Sequence, residues 1–388
     1  MVLAALFLVL QQAGPARSSP LRPASFDAAT FDPWVLKGIS AGAYPGATLI
    51  VGRHDTILFR KGYGHLTWSV TSPAADADST LYDLASLTKV VATTTALMLL
   101  VEQGTVRLDA PVATYLPEFR DDGTAGITVR QLLTHTSGLR ADLPDDELKA
   151  IPDSAGLMQR VLRETPRAPP GTRVIYSDLN AILLGEIVAR AARDPLDVFT
   201  AREIFAPLGL RQTMFRPPAR LRARIAPTGV WRGHAVAGSV NDGSAFKLRG
   251  VSGNAGLFAT AADLARFAQF MLREGVLPDG RRLLSAETVR LFTTKAAGLG
   301  PGREARALGW QALPTGENVS SAGTLFGLRS YGHTGWTGTS LWIDPDRDLF
   351  VVLLTNRAYA PRARRSFTVL KGVRGGVADA AAQASDAS

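Results

Sequence analysis

The stretch that decides the fold is Ser86-Leu-Thr-Lys-Val-Val-Ala-Thr-Thr-Thr-Ala-Leu-Met-Leu-Leu-Val-Glu-Gln103. Wound as a helix, it presents apolar side chains on nearly every face, and Gly104 follows where the helix should end. A helix that is apolar all round is buried inside a domain. The sequence therefore predicts a buried helix over residues 86–103 that begins at Ser86.

Ser86 and Lys89 are three residues apart, so their side chains lie on one face of that helix, one turn apart. A serine at a helix start lies near free backbone N–H groups that can stabilise an oxyanion. Its hydroxyl needs a base, and we expect burial to lower the pKa of Lys89 so that it can serve. A second Ser-x-x-Lys pattern, Ser244-Ala-Phe-Lys247, has no long helix behind it and is interpreted as structural.

A second motif, Tyr176-Ser-Asp178, follows Pro-Pro-Gly-Thr and opens a predicted helix that runs to residue 192. A tyrosine at a junction between a loop and a helix usually serves packing. Beside a Ser–Lys pair it becomes a candidate proton carrier.

The third motif is His333-Thr-Gly335, just before a predicted strand over residues 338–343. Glycine would let a substrate lie against the strand edge, and the Trp336 N–H could donate to an oxyanion. His333 taken alone would be interpreted as a surface histidine.

In this order and at these separations, the three motifs resemble the class C β-lactamase family, with low-molecular-weight penicillin-binding proteins and β-lactamase-like carboxylesterases. The likeness runs from about Gly46 to Arg357. It includes the stretches Leu132-Leu-Thr-His-Thr-Ser-Gly-Leu139, Gly250-Val-Ser-Gly-Asn-Ala-Gly-Leu-Phe258 and Gly332-His-Thr-Gly-Trp-Thr-Gly-Thr-Ser340. Within the first of these, His135 is expected to hold a turn.

The resemblance implies a serine hydrolase that forms an acyl-enzyme on Ser86 and cleaves esters or amides. Lys89 and Tyr176 would share the general-base and general-acid work, in an order that the sequence leaves open. Substrate and oxyanion contacts would come from Asp178, His333, Thr334, Gly335 and Trp336. The alternative is a slowly acylated or non-catalytic protein that binds penicillin or peptidoglycan.

Two departures from the family pattern bear on substrate choice. The third motif commonly begins with Lys and here begins with His333, which would be mostly neutral above about pH 7. The second commonly ends in Asn and here ends in Asp178, which when ionised only accepts hydrogen bonds. We therefore expect neutral esters, or amides without a nearby carboxylate, to be better substrates than cephalosporins. Any β-lactam turnover should fade from about pH 6 to 8.

The predicted fold is α/β of the α+β type, with one antiparallel sheet built from both chain ends, flanking helices and an inserted, mainly helical lobe. Strands at both ends of the chain and helices between them support this arrangement. The predicted divisions are a signal peptide (1–16), an N-terminal tail (17–34), a hydrolase domain (35–375) and a C-terminal tail (376–388). Within the domain, residues 35–105 and 300–375 form the α/β lobe and residues 106–299 form the helical lobe.

Composition narrows the possible partners. The 388 residues carry a formal net charge of +9, but the arginines are scattered and the only dense run is Arg362, Arg364 and Arg365. This favours a solvated basic surface over nucleic-acid binding, so the expected partner is a small-molecule or peptide substrate, including peptidoglycan fragments. The chain has no cysteine, and its five histidines lack metal-ligand spacing, so we expect neither a metal nor another cofactor.

The N-terminus indicates export. Residues 2–10 are apolar and small residues follow up to Ala16, a pattern that resembles a secretory signal peptide without its basic start. The stretch is too short to form a stable membrane span. We expect a periplasmic or extracellular protein, and the sequence leaves open whether the segment is cleaved or retained as an anchor.

Overall fold

The computed structural model describes residues 26–121, 123–299, 305–314, 320–359 and 366–387. Within these residues, strands from both ends of the chain form a seven-stranded antiparallel sheet in the order β2-β1-β12-β11-β10-β9-β8. The strands are β1 (Gly46–Gly52), β2 (Ile57–Gly64), β3 (Tyr82–Asp83), β4 (Met214–Phe215), β5 (Gly229–Trp231), β6 (His234–Val236), β7 (Leu257–Ala259), β8 (Ala305–Arg306), β9 (Gln311–Ala312), β10 (Tyr331–Thr334), β11 (Ser340–Asp344) and β12 (Leu349–Thr355). This is the predicted fold class, which is confirmed.

Helices cover both faces of the sheet. Most of them lie between β2 and β8 in the sequence, whereas α1 precedes the first strand and α11 follows the last. They are α1 (Ala28–Ser40), α2 (Thr95–Glu102, preceded by the π-helical turns Lys89–Thr94), α3 (Val129–Leu133), α4 (Asp145–Ala150), α5 (Ser154–Leu162), α6 (Asp178–Ala192), α7 (Leu196–Thr200, continued by the π-helical Ala201–Phe205), α8 (Gly243–Lys247), α9 (Ala261–Leu272), α10 (Ala286–Thr293) and α11 (Ser366–Asp386). Short 3₁₀ turns lie at Val112–Thr114, Ala219–Arg224 and Arg357–Tyr359. No helix in these described ranges is long and apolar enough to cross a bilayer.

The central strands are buried on both faces because alternate side chains enter two different cores. On β12, Val352 and Leu354 join the core on the side of the helical lobe, whereas Val351 and Leu353 join the core beneath α1 and α11. Strands covered on both faces carry continuous apolar runs. This explains why β1 and β12 are buried along their whole lengths.

Both predicted tails are wrong where the structure describes them. Residues 28–34 belong to α1, whose Phe31 packs at 4.6 Å (ring centroids) against Phe59. Residues 376–386 belong to α11, although glycine disfavours a helix interior. Gly376 instead lets α11 lie against α1, since a Cβ there would overlap the Trp34 indole. The signal segment and the run at residues 362–365 lie outside the described residues.

The predicted lobe boundaries also need correction. Helix α9 falls within the predicted helical lobe but packs on β1 and β12 of the sheet. The helix that follows Ser86 was assigned to the α/β lobe, yet α2 packs against α6 and α10. Apolar periodicity shows that a helix has a buried face but does not show which neighbour covers it.

Candidate active site

Ser86 lies at a sharp turn between β3 and the buried helix. Ala85 has a left-handed backbone (φ 46°), uncommon for a residue other than glycine. The turn is held because the Asp83 carboxylate accepts a hydrogen bond from the Ala85 N–H at 2.9 Å. Leu84 N also donates to Leu257 O of β7 at 2.9 Å. The hydroxyl of Ser86 therefore has a fixed position at the start of the helix, as the sequence predicts.

The predicted nucleophile Ser86 and the two residues proposed for acid–base work lie together. Lys89 Nζ donates to Ser86 Oγ at 2.8 Å, and Tyr176 OH donates to the same oxygen at 2.9 Å. The Lys89 side chain is almost fully buried, whereas Ser86 is partly exposed. Ser86 is thus reachable from solvent and contacts two groups that can carry protons.

Lys89 differs from its sequence-based expectation. Its Nζ has three oxygens around it, namely Ser86 Oγ at 2.8 Å, Asn254 O at 3.0 Å and Asp178 Oδ1 at 2.6 Å. An ammonium group has three N–H donors, so this environment suits the protonated form. Burial alone would lower the pKa of Lys89, but the Asp178 carboxylate and the Tyr176 hydroxyl outweigh it and raise the pKa. The expectation of a lysine with a lowered pKa is wrong for the resting protein, because Asp178 pairs with it.

Tyr176 is positioned by the segment around His135. The ring centroids of His135 and Tyr176 are 4.7 Å apart, and His135 Nδ1 accepts a hydrogen bond from Ser177 N at 3.1 Å. Ser177 in turn caps α6 by accepting from Asn180 N. Burial raises the pKa of the Tyr176 hydroxyl although the Lys89 charge opposes it. His135 holds the start of α6 and with it Tyr176, a role wider than the turn we expected.

His333 lies on β10 with its ring centroid 5.9 Å from that of Tyr176. Its Nδ1 lies 2.8 Å from Thr334 O, and because a carbonyl only accepts, Nδ1 carries the proton. Burial, followed by the charges of Arg306 and Lys89, holds the pKa of His333 well below its usual value. This lowered pKa favours the neutral imidazole, as the sequence analysis expects above about pH 7, and the fading of β-lactam turnover with rising pH stays a prediction.

The loop after β10 is fastened to the turn that carries Ser86. Thr337 Oγ1 donates to Asp83 O at 2.6 Å and Thr339 Oγ1 donates to Leu84 O at 2.9 Å. A Cβ on Gly335 would overlap Leu84 O, so glycine permits this approach. Trp336 lies between these anchors; its side chain is 61% exposed and packs on Phe367, with ring centroids 4.8 Å apart.

Two arginines that the sequence analysis did not single out hold this loop from behind. Arg374 of α11 donates to Gly335 O at 3.2 Å and to Thr339 O at 2.7 Å. Arg357 donates through Nε to Trp336 O at 3.0 Å. Because the carbonyls are held, the backbone N–H of Trp336 keeps a fixed direction. Neither this N–H nor that of Ser86 donates a hydrogen bond to another described residue.

Arg306 and Asn254 complete the surroundings of the site. Arg306 on β8 is buried, with Cζ 4.9 Å from the Tyr176 ring centroid. Its charge also helps burial to lower the pKa of His135. No motif marked Arg306. Asn254 falls in the Gly250–Phe258 stretch that already resembled the family, and that resemblance was the available signal.

The second Ser-x-x-Lys pattern does not form a similar site. Ser244 and Lys247 lie on the five-residue helix α8, where Lys247 Nζ donates to Ile151 O. Ser244 is almost fully buried. The structural interpretation of this copy agrees with the geometry.

Comparison with known proteins identifies the family. The Beta-lactamase family model matches residues 31–373, so the chain belongs to that family. It is a serine hydrolase related to the β-lactamases, and the sequence-based prediction of the family and of a hydrolytic enzyme is confirmed.

Among similar sequences, a protein of Escherichia coli strain K12 named "Putative D-alanyl-D-alanine carboxypeptidase" is 33% identical over 372 residues, covering 86% of this chain and 82% of that protein. Two solved structures share the fold with TM-scores of 0.72. One is EstCE1, "a hydrolase with promiscuous acyltransferase activity" (22% identical, covering 90% of this chain and 98% of that one). The other is a "Beta-Lactamase/D-Alanine Carboxypeptidase" from Pseudomonas syringae (21% identical, covering 92% and 98%).

Proposed function

We propose that Ser86 is the residue acylated during hydrolysis. The observation that carries this proposal is the pair of hydrogen bonds that Lys89 Nζ and Tyr176 OH donate to Ser86 Oγ, at 2.8 and 2.9 Å. In the proposed reaction, Ser86 Oγ attacks the substrate carbonyl carbon and its proton passes to a neighbouring base. The C–O or C–N bond to the leaving group then breaks as that group takes a proton. Water attacks the ester on Ser86 and releases the acid.

The base is Lys89 in its neutral form, in this proposal. Asp178 keeps Lys89 protonated at rest, so only the fraction that has lost its proton can accept one from Ser86. Tyr176 already donates to Ser86 Oγ and can reach a leaving group that departs from the same carbon, so it acts as the general acid. The oxyanion donors are the N–H groups of Ser86 and Trp336, supported by the anchored loop behind them.

The preferred substrates in this proposal are neutral short-chain esters and amides. The neutral His333 supplies no positive charge at the start of the third motif, and the charge of Lys89 is offset by Asp178 at 2.6 Å. A carboxylate next to the scissile bond therefore finds less attraction near these residues than a permanently charged lysine would offer.

A second candidate is carboxypeptidase activity on D-alanyl-D-alanine peptides. The name of the 33% identical relative from Escherichia coli supports it.

The experiment compares kcat/KM for a p-nitrophenyl ester, a chromogenic cephalosporin and an acyl-D-alanyl-D-alanine peptide. We expect ester turnover to be fastest, and Ser86→Ala to lose more than nine-tenths of it while the matched Ser244→Ala keeps it. Faster peptide than ester turnover would instead establish the second candidate. Retained activity in Ser86→Ala would refute the proposed nucleophile.

We also propose that the protein is exported, on the basis of the apolar residues 2–10 and the small residues that follow. Fractionation of cells that express the full chain, with N-terminal sequencing of the product, tests this. A product found only in the cytosol with an intact N-terminus would contradict it.

A further inference from the structure

Most of the net charge of the chain comes from one segment. Residues 211–249 contain eight Arg or Lys residues and one acidic residue, a net charge of +7 against +9 for the whole chain. In the sequence these arginines alternate with apolar and small residues and do not form a run. Their surface arrangement therefore depends on how the segment folds.

The fold brings two parts of this segment together. The 3₁₀ turn Ala219–Arg224 contributes Leu221, and the end of the β5–β6 hairpin contributes Ala237, to one small apolar cluster with Ile225. The hairpin closes through a two-residue turn at Arg232 and Gly233, which both have positive φ (47° and 80°). Such a turn matches the right-handed twist of the two strands that it joins.

We define the hairpin face as Arg220, Arg222, Val230, Trp231 and Arg232. All five are exposed, Trp231 by 68% and Val230 by 55%. None of its three arginines forms an ion pair with a carboxylate in the described part of the chain. Val230 and Trp231 are consecutive on β5 and so point to opposite sides of the hairpin. Each side of the hairpin tip thus carries an exposed apolar side chain near arginines without a carboxylate partner, and the Arg232 guanidinium lies 5.5 Å from the Trp231 ring centroid.

The surface continues past the base of the hairpin. Phe246 is 65% exposed and lines a groove with Gly238 and the exposed Arg249. Two other arginines of the segment are engaged elsewhere, since Arg216 pairs with Asp197 and Arg224 donates to Ser79 O. The mixture of cations and apolar side chains therefore extends over more than the hairpin tip.

The hairpin is fastened to the candidate active site. Asn241 N donates to Asp83 Oδ2 at 2.7 Å, and Asn241 Nδ2 donates to Thr228 O at 3.2 Å. Asp83 belongs to the strand that leads to Ser86. The base of the hairpin is therefore linked by hydrogen bonds to the segment that positions Ser86.

We propose that the hairpin face docks the protein onto an anionic phospholipid bilayer. Arginines near such a surface are attracted to its negative potential, and tryptophan favours the boundary between headgroups and acyl chains. A nucleic acid would satisfy the arginines equally well, but its phosphates offer nothing to Val230. The bilayer accounts for both the charged and the apolar side chains. This inference does not depend on which bond the enzyme cleaves.

The test measures partition of the full chain onto vesicles of phosphatidylglycerol and phosphatidylcholine by co-sedimentation. We expect binding to weaken as salt is added and as the phosphatidylglycerol fraction of the vesicles is lowered. The triple variant R220A/R222A/R232A should bind about 100-fold more weakly, at about one kcal/mol per arginine. Trp231→Ala should bind several-fold more weakly with an unchanged salt dependence.

Two matched controls test whether binding depends on the hairpin face or only on the net charge and the exposed apolar area of the protein. R120A/R163A/R281A removes three exposed arginines from elsewhere and should bind like the wild type, as should Leu328→Ala, whose side chain is 83% exposed. Circular dichroism and ester turnover report whether each variant is folded. Equal losses in both triple variants would overturn the proposal. Salt-independent binding to pure phosphatidylcholine would also overturn it, as would tighter binding to duplex DNA that Trp231→Ala leaves unchanged.

Discussion

Asp178→Asn is the substitution that best tests how Lys89 is controlled. The carboxylate lies 2.6 Å from Lys89 Nζ, and the two side chains are 18% and 4% exposed. At an effective dielectric constant of about 20, two unit charges at this distance attract by about 6 kcal/mol. Desolvation offsets much of this, and an opposite charge in contact shifts a pKa by about one to three pH units.

The direction in which the pH profile shifts depends on which protonation state of Lys89 is active. The carboxylate raises the pKa of Lys89, so at neutral pH the neutral amine is scarce and kcat/KM should rise with pH without reaching a plateau. Asparagine removes the charge and lets burial lower the pKa. The rising limb of the plot of kcat/KM against pH should therefore shift by about one to three pH units toward lower pH. Because a less basic amine also accepts a proton less readily, we expect a gain of roughly tenfold at pH 8.

The assay is kcat/KM for a p-nitrophenyl ester from pH 6 to 10, corrected for spontaneous hydrolysis. Asp142→Asn is the matched control. Burial and the nearby Asp178 carboxylate raise the pKa of Asp142 to about 6, so Asp142 is negatively charged above that pH. Asp142→Asn removes this neighbouring charge and leaves the contacts of Lys89 in place. We expect the control to move the limb much less. If the rising limb of Asp178→Asn stays at the wild-type pH or shifts to higher pH, this account of Lys89 is refuted.

Three further substitutions have defined outcomes. Lys89→Arg should be as inactive as Lys89→Ala in ester hydrolysis, because arginine keeps its proton; an active Arg variant would move the base role to Tyr176. His135→Ala removes the acceptor that fixes the start of α6 and should lower the free energy of unfolding by about 1–3 kcal/mol in urea titrations; an unchanged midpoint would contradict the positioning role. Gly335→Ala should reduce kcat at least about tenfold while the fold persists by circular dichroism, since its methyl would displace the loop from Leu84 O. Gly126→Ala, which has open space at that position, should keep wild-type kcat, and equal activity in both variants would remove the loop from the mechanism.

Local spacing made the central site predictable. A separation of three residues on a helix brings Ser86 and Lys89 together in any fold that keeps the helix, and the structure keeps it. The family resemblance then joined Tyr176 and His333 to them across more than two hundred residues. Periodicity alone could not have supplied those contacts.

The electrostatic state of the site was not predictable in this way. The pKa of Lys89 depends on a carboxylate 89 positions later in the chain, and that of His333 depends on burial and on Arg306. Both depend on distances that only the folded chain defines. The extension of α11 beyond residue 375 was missed for a related reason. Its glycines have a cost in an isolated helix, and close packing against Trp34 outweighs that cost.

The central claim is that Ser86 carries the acyl group, and covalent labelling measures this most directly. The wild type, Ser86→Ala and Ser244→Ala would each be incubated with a fluorophosphonate, and the labelled peptide would be located by mass spectrometry. The account predicts one adduct on Ser86 in the wild type and in Ser244→Ala, and none in Ser86→Ala. An adduct on another residue, or ester hydrolysis at wild-type rate without any adduct, would contradict it.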